Sequence, residues 1–301
     1  MAQLARTFAI ITTCKGRLDH LKQSLPQMVG QAADEVIVVD FSCPQGSGDF
    51  VAANFPSVRV VSVPGEDHYS NWKARNAAAS VANSEVLVFV DADTKLANGA
   101  IEWLSKHLPE RVYGFFDRKT SKSFNQSGTR LAANQLKGFH VVPTAAFRRV
   151  GGYDEVLEGY ASGADTDMEE RLSMIGLKRH VLDSQIIETV IEHDAASRIQ
   201  HHAHPVKTSY CAGLIYRAAK LCLLRIRKQL ELPLQARHNL YSAAMEAARS
   251  LGSKSDRIGM NVIVDEEPIL MPRQLGYESG RKTVILRVEV SLRDKLEEMP
   301  R

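Results

Sequence analysis

The stretch Val86-Leu87-Val88-Phe89-Val90-Asp91-Ala92-Asp93 decides the fold of this chain, because it joins an unbroken apolar run to a pair of acids. The run is too short for a helix buried on all sides and is rich in β-branched residues, which predicts a buried strand of a parallel sheet. Open α/β sheets bind ligands outside the carboxyl ends of their strands, where two carboxylates suit a divalent cation that also holds a diphosphate. The alternative is that Asp91 ends the strand and Asp93 caps a helix beginning near Leu96.

Strands and helices are predicted to alternate along the first two thirds of the chain. The predicted strands are Phe8–Thr12, Glu35–Asp40, Val58–Val63, Val86–Val90 and Phe139–Val142. The predicted helices span residues 18–28, 50–55, 71–81, 144–150 and 165–175. This alternation predicts an α/β fold with a doubly wound, mostly parallel sheet and right-handed crossovers.

The character of the sequence changes after Pro205. A long amphipathic helix is predicted over residues 210–230 and a second helix over 236–251, and strand-like pieces follow at 261–264 and 283–290. The predicted domains are an α/β domain, residues 1–205, and a helical C-terminal extension with a short β-like tail, residues 206–301.

The segment around the long helix is basic, which leaves two interpretations open. Its cations are Lys207, Arg217, Lys220, Arg225, Arg227, Lys228 and Arg237. In one interpretation the helix docks on anionic lipid, as a peripheral contact at the inner face of the membrane. In the other, which we favour, it packs back on the α/β domain or on a second subunit of a homo-oligomer, with its charges in water.

The composition excludes several classes of protein. With 301 residues and 44% hydrophobic content, the chain can bury a large core. The net charge of +3 is too small to indicate nucleic-acid binding, and no nucleic-acid-binding signature occurs. The four cysteines lack metal-ligand spacing and are predicted to be free thiols in a reducing compartment. No signal-peptide core and no apolar stretch of about 18 residues are found, so a cytoplasmic protein is expected.

Two loops that follow predicted strands carry groups suited to a nucleotide. After the first strand, Gly16 allows a tight turn, while Lys15 and Arg17 offer cationic donors to phosphate. At the tip of the second strand, Asp40 can accept a hydrogen bond from a nucleobase imide or a ribose hydroxyl. Each has a simpler alternative, namely a solvated basic turn before a helix and an aspartate that starts a loop.

A glycine-containing loop, Glu158–Ala164, carries an aromatic residue and leads into a predicted helix with an acidic first turn. A carboxylate at the positive end of a helix dipole can be held ionised, which makes Asp165 a candidate general base. Asp165 and Asp167 are also explained as helix-capping acids. That alternative does not explain Tyr160, which is flanked by small residues.

Together these motifs resemble the A-type glycosyltransferase fold, and particularly family 2 glycosyltransferases with galactosyltransferase-like C-terminal motifs. The resemblance covers roughly residues 7–205. Its motifs are the turn Thr13–Arg17, the strand end Val38–Asp40, the helix segment Lys73–Asn76, the acidic segment Val90–Asp93, and Val150–Glu155 followed by the Asp165 loop. Each motif is weak alone, and their order and spacing carry the resemblance.

The resemblance implies a metal-dependent glycosyltransferase. The enzyme would move a sugar from a nucleotide-diphosphate sugar, with UDP favoured, to a hydroxyl of a glycan, a lipid-linked acceptor or a small molecule. The implied cofactor is Mn²⁺ or Mg²⁺, and the reaction inverts the anomeric centre if Asp165 is the base. Two alternatives stay open: a sugar-phosphate nucleotidyltransferase, against which the single glycine in Thr13–Arg17 argues, and a degenerate protein that only binds nucleotide or carbohydrate.

The resemblance also implies roles for single residues. Asp165 would be the catalytic base, although Ala164 stands where the family often has a glutamate. The implied metal ligands are Asp91, Asp93 and His193, and the implied acceptor contacts are Tyr160 and Asp167. The implied nucleotide-sugar contacts are Thr13, Lys15, Arg17, Asp40, Lys73, Asn76 and Asp91. A solvated or substrate-closing loop is predicted for His201, His202 and His204.

Overall fold

The computed structural model describes residues 6–116, 136–192, 199–251, 256–269 and 280–292. The chain forms two compact units. Over their described residues, the first unit comprises Met1–Glu155 with Ala164–Ala203, and the second comprises Val156–Gly163 with His204–Arg301. The short segment Val156–Gly163 therefore belongs to the second unit, although it interrupts the first along the chain.

Strands and helices alternate in the first unit. Its strands are β1 (Phe8–Cys14), β2 (Glu35–Asp40), β3 (Arg59–Ser62), β4 (Val86–Phe89), β5 (Thr94–Leu96), β6 (Val112–Phe115), β7 (His140–Pro143), β8 (Lys178–Val181) and β9 (Ile187–Val190). Its helices are α1 (Leu18–Val29), α2 (Ser47–Asn54), α3 (Asn71–Val81), α4 (Ala100–His107), α5 (Thr144–Arg149) and α6 (Ala164–Met174), with a 3₁₀ turn at Ser184–Ile186. The predicted helix over residues 71–81 is found with the same bounds.

Seven strands form one mixed sheet in the order β3-β2-β1-β4-β7-β6-β8. Strands β3, β2, β1 and β4 run parallel, β7 is antiparallel to both β4 and β6, and β8 is parallel to β6. The predicted α/β fold with a mostly parallel, doubly wound sheet is confirmed. The strand order reverses at β1, and in such sheets the ligand site lies at the carboxyl ends beside that reversal.

Both faces of the sheet are covered by apolar side chains. Successive residues of β4 alternate between two core clusters, so that Val88 belongs to one cluster and Phe89 to the other. Leu25 of α1 packs in the first cluster and Ala78 of α3 packs in the second. Because β4 is buried on both faces, its sequence is apolar throughout instead of alternating with polar residues.

After Asp93 the chain forms a strand and not a helix. Strand β5 pairs antiparallel with β9, and α4 begins only at Ala100, after Gly99. The interpretation in which Asp93 caps a helix beginning near Leu96 is therefore wrong. The carbonyl of Asp93 accepts a hydrogen bond from the N–H of Ile191 over 2.7 Å, which fixes this acid at the start of the small two-stranded sheet.

The second unit contains two packed helices and a β-hairpin. Its elements are α7 (Val206–Arg227), α8 (Leu234–Arg249) and the antiparallel strands β10 (Arg257–Ile269) and β11 (Gly280–Ser291). In α7, Lys220 is fully buried and its ammonium group lies 2.9 Å from the carboxylate of Glu231. One cation of the basic segment is therefore used inside the protein, and contact with a membrane surface stays a prediction.

The segment Val156–Gly163 is held within the second unit by polar contacts. The hydroxyl of Tyr241 donates to the carbonyl of Glu158 over 3.0 Å, and the His204 imidazole lies 3.7 Å from the Glu158 carboxylate. These contacts join the segment to α8 and to His204, which lies two residues before α7. Among the described helices of the chain, none is both long enough and apolar enough to cross a membrane.

Candidate active site

The carboxyl ends of β1, β2 and β4 meet at one edge of the sheet, because these neighbouring strands run parallel. Strand β1 ends at Cys14 and β2 ends at Asp40. Strand β4 leads through Val90 to Asp91 and Asp93. The loops predicted to bind a nucleotide therefore lie together, beside the reversal of strand order.

Asp91 is held by a buried arginine. The Nη2 atom of Arg75, which is only 1% exposed, lies 2.7 Å from Asp91 Oδ1. The Arg75 Nη1 atom donates to the Tyr153 hydroxyl over 3.2 Å, and the guanidinium packs on the rings of Phe89 and Tyr153. Gly138 approaches so closely that a Cβ atom there would overlap the Asp91 carboxylate. Asp91 is thus oriented from two sides, with 32% of its side chain exposed.

Asp93 is paired with the loop that follows β1. Arg17 Nη1 donates to Asp93 Oδ2 over 3.0 Å. Asp93 is buried, whereas the Arg17 side chain keeps 26% of its surface exposed. A guanidinium on a long, partly exposed side chain is the donor type that binds phosphate oxygens in a forked geometry. The structure therefore brings together the predicted cationic and acidic residues, and their roles stay predictions.

Thr13 belongs to a hydroxyl cluster near this ion pair. Its Oγ1 donates to Asn71 Oδ1 over 2.9 Å and lies 2.6 Å from the hydroxyl of Tyr69. Burial raises the pKa of Tyr69 and the charge of Asp91 raises it further, whereas Arg75 lowers it. The Tyr69 phenol therefore stays protonated, within electrostatic reach of the acidic strand end.

Lys15 is buried and bonded to the main chain. Its ammonium group donates to the carbonyl oxygens of Glu66 over 2.6 Å, Ser42 over 3.2 Å and Phe41 over 3.4 Å. These bonds use the three donors of the group. In this structure Lys15 therefore fixes the loop after β2, and its contact with phosphate stays a prediction.

The turn at Gly16 requires glycine and lies against His201. Its φ is +70°, and a Cβ atom would collide with the His201 imidazole. The His201 carbonyl accepts from the N–H of Tyr69 over 2.7 Å, and the His202 ring centre lies 5.8 Å from that of Tyr69. Burial, followed by the charge of Arg17, lowers the pKa of His202 to about 4. His202 is therefore neutral at neutral pH.

Asp40 shapes the loop after β2. Its Oδ1 accepts from the N–H of Cys43 over 2.8 Å, and its Oδ2 accepts from the Ser47 hydroxyl over 3.0 Å and the N–H of Gly48 over 2.5 Å. Ser47 and Gly48 open α2, so the Asp40 carboxylate stabilises the start of this helix. The nucleobase contact that the resemblance implies stays a prediction.

Lys73 and Asn76 lie on α3 and have different partners. The Lys73 ammonium lies 3.4 Å from the Glu66 carboxylate. The Asn76 amide clamps the backbone of Tyr153, because its Oδ1 accepts from the Tyr153 N–H and its Nδ2 donates to the Tyr153 carbonyl, each over 2.9 Å. Asn76 therefore positions the residue that contacts Arg75, and the donor contacts of Lys73 and Asn76 stay predictions.

Asp165 lies in the first turn of α6 and is partly exposed. Its Oδ1 accepts from the N–H of Thr166 over 2.9 Å, and no cation forms an ion pair with it among the residues that the structure describes. Burial raises the pKa of Tyr153 and the charges of Asp165 and Asp91 raise it further, whereas Arg75 lowers it. One buried phenol therefore lies within electrostatic reach of both carboxylates.

A buried polar chain continues from Tyr153 to α6. The Tyr153 hydroxyl lies 3.4 Å from His140 Nδ1, and His140 Nε2 lies 3.3 Å from Glu169 Oε1. Glu169 Oε2 pairs with Arg179 over 3.1 Å. Because Glu169 follows Asp165 by one helical turn, these contacts link the acidic end of β4 to the helix that carries the candidate base.

Asp167 is buried and paired within its own helix. Arg171 donates to Asp167 Oδ2 from Nη2 over 2.6 Å and from Nε over 2.9 Å. Arg171, which is also buried, donates to the carbonyl oxygens of Val150 and Gly152. This pair therefore ties α6 to the turn after α5, and the acceptor contact implied for Asp167 stays a prediction.

For two other predicted site residues, the structure describes no position beside the carboxylates of Asp91, Asp93 or Asp165. Tyr160 is 36% exposed and belongs to the second unit. His193 lies outside the described residues. The stacking of an acceptor on Tyr160 and a third metal ligand at His193 therefore stay predictions.

Several residues without a predicted role contact the candidate site residues. Among them are Tyr69, Arg75 and Tyr153. Arg75 and Tyr153 lie inside motifs that carry the resemblance, so the residues beside them in the sequence already indicated a place at the site. Tyr69 precedes α3 in a segment without such a motif, and only its contact with Thr13 places it at the site.

The open α/β sheet, with its acidic strand end and the cationic loop beside it, has the architecture of the A-type glycosyltransferase fold. Residues 9–153 match the family model described as Glycosyl transferase family 2. Over these residues the chain is a family 2 glycosyltransferase domain, which confirms the resemblance predicted from its motifs.

Solved structures of other glycosyltransferases share the fold. The mannosyltransferase PcManGT from Pyrobaculum calidifontis, in complex with GDP-Man and Mn²⁺, matches with a TM-score of 0.52 and 16% identity over 83% of this chain and 77% of that chain. S. aureus TarS 1–349, in complex with UDP-GlcNAc, matches with a TM-score of 0.53 and 14% identity over 81% of this chain and 72% of that chain. Identities this low establish the fold alone. No curated protein sequence matches this chain.

Proposed function

We propose that the chain is an inverting, metal-dependent glycosyltransferase that moves a sugar from a nucleoside-diphosphate sugar to a hydroxyl acceptor. One observation carries the proposal: Asp91, at the end of β4, is held by Arg75, whereas Asp165 has no cationic partner among the described residues. Sugar transfer needs both a group that helps hold the charged diphosphate and a base for the acceptor hydroxyl. The two differently partnered acids suit these two needs.

Asp91 and Asp93 would hold the divalent cation. Carboxylate oxygens are the ligands that Mg²⁺ and Mn²⁺ prefer, and Arg75 orients Asp91 while leaving part of its side chain exposed. When bound, the cation neutralises charge on the leaving diphosphate. The presence of Mn²⁺ with GDP-Man in PcManGT supports this choice of cofactor.

Arg17 is the residue expected to change partners when the donor binds. In the structure its guanidinium lies against Asp93. The diphosphate offers Arg17 a more highly charged partner, and the divalent cation offers one to Asp93. We therefore propose that Arg17 moves from Asp93 to the diphosphate, where its charge stabilises the leaving group.

Asp165 would act as the general base. Its carboxylate takes the proton of the acceptor hydroxyl while the acceptor oxygen bonds to the anomeric carbon, and the bond from that carbon to the diphosphate oxygen breaks. Attack on the face opposite the leaving group inverts the anomeric centre. Asp165 lies in the first turn of α6 and is partly exposed, so an acceptor hydroxyl can approach its carboxylate.

The donor nucleotide is proposed to be a uridine or guanosine diphosphate, with UDP favoured by the motif resemblance. UDP-GlcNAc in TarS and GDP-Man in PcManGT are donors of these two kinds, bound to proteins of the same fold. Both nucleotides therefore belong in the test. Tyr160 is proposed as a platform on which an acceptor sugar stacks, because it is an exposed aromatic residue just before the helix of Asp165.

Isothermal titration of UDP and GDP, each with Mn²⁺ and with EDTA, tests the donor site. We expect one nucleotide to bind only with Mn²⁺ and Asp93→Ala to abolish this binding. Asp19→Ala, which removes an exposed carboxylate from α1, is the matched control and should keep the wild-type affinity. If neither nucleotide binds to the wild type in any condition, the proposal of a UDP- or GDP-sugar donor is wrong.

A further inference from the structure

Cys14 and Cys43 form a thiol pair at the carboxyl edge of the sheet. Their Sγ atoms lie 3.9 Å apart, and both thiols are free. Cys14 is the buried last residue of β1, whereas Cys43 lies partly exposed in the loop after β2. Cys43 is therefore the more accessible of the two cysteines.

The hydrogen bonds around the pair give the two sulfurs different properties. The N–H of Gly16 donates to Cys43 Sγ over 3.3 Å, and the Ser47 side chain also hydrogen-bonds to Cys43. Either sulfur can donate the hydrogen bond between the thiols, because the Arg17 N–H and the Ser47 side chain also hydrogen-bond to Cys14. The bond between the thiols is the main cause that lowers the pKa of Cys43 and, together with burial, raises the pKa of Cys14. Cys43 is thus the better nucleophile of the two.

We propose that Cys14 and Cys43 are a modification site, a dithiol that a peroxide converts reversibly to an intramolecular disulfide which weakens donor binding. The sulfurs start 3.9 Å apart and must approach by about 2 Å to reach the length of an S–S bond. Rotation of the partly exposed Cys43 side chain is expected to supply most of this movement. The consequence for donor binding rests on the proposed function, whereas the disulfide itself does not.

The chemistry balances with hydrogen peroxide as the oxidant. The Cys43 thiolate attacks one peroxide oxygen, the O–O bond breaks, and a sulfenic acid and a hydroxide ion form. The Cys14 sulfur then attacks the Cys43 sulfur, the S–O bond breaks, and the disulfide forms as a second hydroxide leaves. The two thiol protons convert both hydroxide ions to water. Two thiols are oxidised and one peroxide is reduced to two waters.

The disulfide would disturb both loops that are proposed to bind the donor. Movement of Cys43 toward Cys14 takes its sulfur away from the N–H of Gly16, which directly precedes Arg17. Any backbone shift that closes the rest of the gap also strains the hydrogen bond from the Cys43 N–H to Asp40 Oδ1, which is 2.8 Å long. We expect the oxidised protein to bind the nucleotide diphosphate about tenfold more weakly, which corresponds to about 1.4 kcal/mol.

The first arm of the test detects the disulfide without reference to function. The full chain is reduced with dithiothreitol, treated with hydrogen peroxide, alkylated, digested and analysed by mass spectrometry. We expect a peptide pair linked through Cys14 and Cys43, which dithiothreitol separates again. Cys14→Ser should stop at the Cys43 sulfenic acid, and Cys43→Ser should form neither product. Cys222→Ser, a partly exposed cysteine of the second unit, is the matched control and should behave as the wild type.

The second arm measures binding of UDP and GDP with Mn²⁺ by titration of the reduced and the oxidised protein, after thermal melts establish that each variant is folded. We expect an affinity about tenfold lower after oxidation, restored by dithiothreitol, and no effect of peroxide on Cys43→Ser.

Three other outcomes are distinguishable. Wild-type protein whose two thiols both remain alkylatable after peroxide overturns the modification site. A disulfide that forms without changing nucleotide affinity overturns its link to donor binding. Reduced protein that forms the disulfide but binds neither nucleotide overturns the proposed donor site and leaves the assignment of the thiol pair in place.

Discussion

Two Asp-x-Asp sequences, Asp91–Asp93 and Asp165–Asp167, look alike in the sequence and differ in the structure. In the first pair both carboxylates contact arginines from other elements, Arg75 and Arg17. In the second pair the later acid is buried against Arg171, one turn along its own helix, and the earlier acid has no cationic partner among the described residues.

The expected roles of these acids differ according to which element supplies the cationic partner. A partner in the same helix stays one turn away, and because both side chains are buried the Asp167–Arg171 pair has little freedom to separate. The long side chain of Arg17 comes from a loop and is partly exposed, so it can exchange one anion for another. Asp165, which has no cationic partner among the residues that the structure describes, is available to accept a proton. We therefore expect substitutions in the two pairs to differ in kind as well as in size.

The largest effect is expected at Asp165. Asp165→Asn preserves the side-chain shape but cannot take the acceptor's proton, so kcat is expected to fall by about 10²–10⁴-fold. The rate is measured as release of the nucleoside diphosphate from the donor sugar in the presence of acceptor. Affinity for the nucleotide with Mn²⁺ should stay at the wild-type value. A variant that keeps most of its kcat would exclude Asp165 as the base.

Asp167→Ala is expected to reduce stability instead of chemistry. It leaves the buried Arg171 guanidinium without its carboxylate, and breaking such a pair costs about 3–5 kcal/mol. Urea denaturation measures this loss in the free energy of unfolding. Asp165→Ala, in the same helical turn but partly exposed, is the control and should cost less than about 1 kcal/mol. A stable Asp167→Ala protein with a raised KM for the acceptor would instead support the acceptor contact implied by the resemblance.

Arg17→Met tests whether this residue exchanges partners. Affinity for the nucleotide diphosphate is expected to fall by about 10- to 100-fold, because a hydrogen bond to a charged group contributes about 1.5–3 kcal/mol. Mn²⁺ without nucleotide should bind more tightly, because the substitution uncovers Asp93. Lys22→Met removes an exposed cation from α1 and serves as the control in both titrations. Weakening of both the metal and the nucleotide would contradict the exchange.

The smallest effect is expected for Tyr153→Phe. The change removes a hydroxyl that lies 3.2 Å from Arg75 and 3.4 Å from His140, while the ring stays packed. The free energy of unfolding should fall by about 1 kcal/mol, measured by urea denaturation. The kcat should change little, because Asp91 keeps its direct contact with Arg75. A loss of kcat comparable to that of Asp165→Asn would mean that the hydroxyl takes part in the reaction.

The parallel half of the sheet is predictable because each of its strands is rich in β-branched residues and bounded by turn residues. In the other half β7 is predictable as the run Phe139–Val142, whereas β6 and β8 are not. Strand β6 contains Gly114 and has four residues, and β8, Lys178–Val181, is polar because it lies at the edge of the sheet. A four-residue strand that is polar or interrupted by glycine contains too few repeats for a periodic pattern, so its pairing depends on tertiary contacts.

The ionisable residues of the site are predictable as a group because topology alone brings the carboxyl ends of the parallel strands together. The sequence does not reveal which of these residues already have hydrogen-bond partners inside the protein. Lys15 illustrates the difference, because its ammonium donates to three backbone carbonyls, and carbonyl positions have no signature in a sequence. Arg75 illustrates the converse, since its burial against Phe89 and Tyr153 depends on side chains far apart along the chain.

The assignment of Val156–Gly163 to the second unit has a practical consequence for making hybrid enzymes. Tyr153 and Asp165, on either side of this segment, belong to the first unit, so one cut after residue 203 does not separate the two units. A hybrid that takes everything after that cut from a relative would keep a native loop while replacing its partners, such as Tyr241. A chimera that preserves these contacts must exchange both segments together.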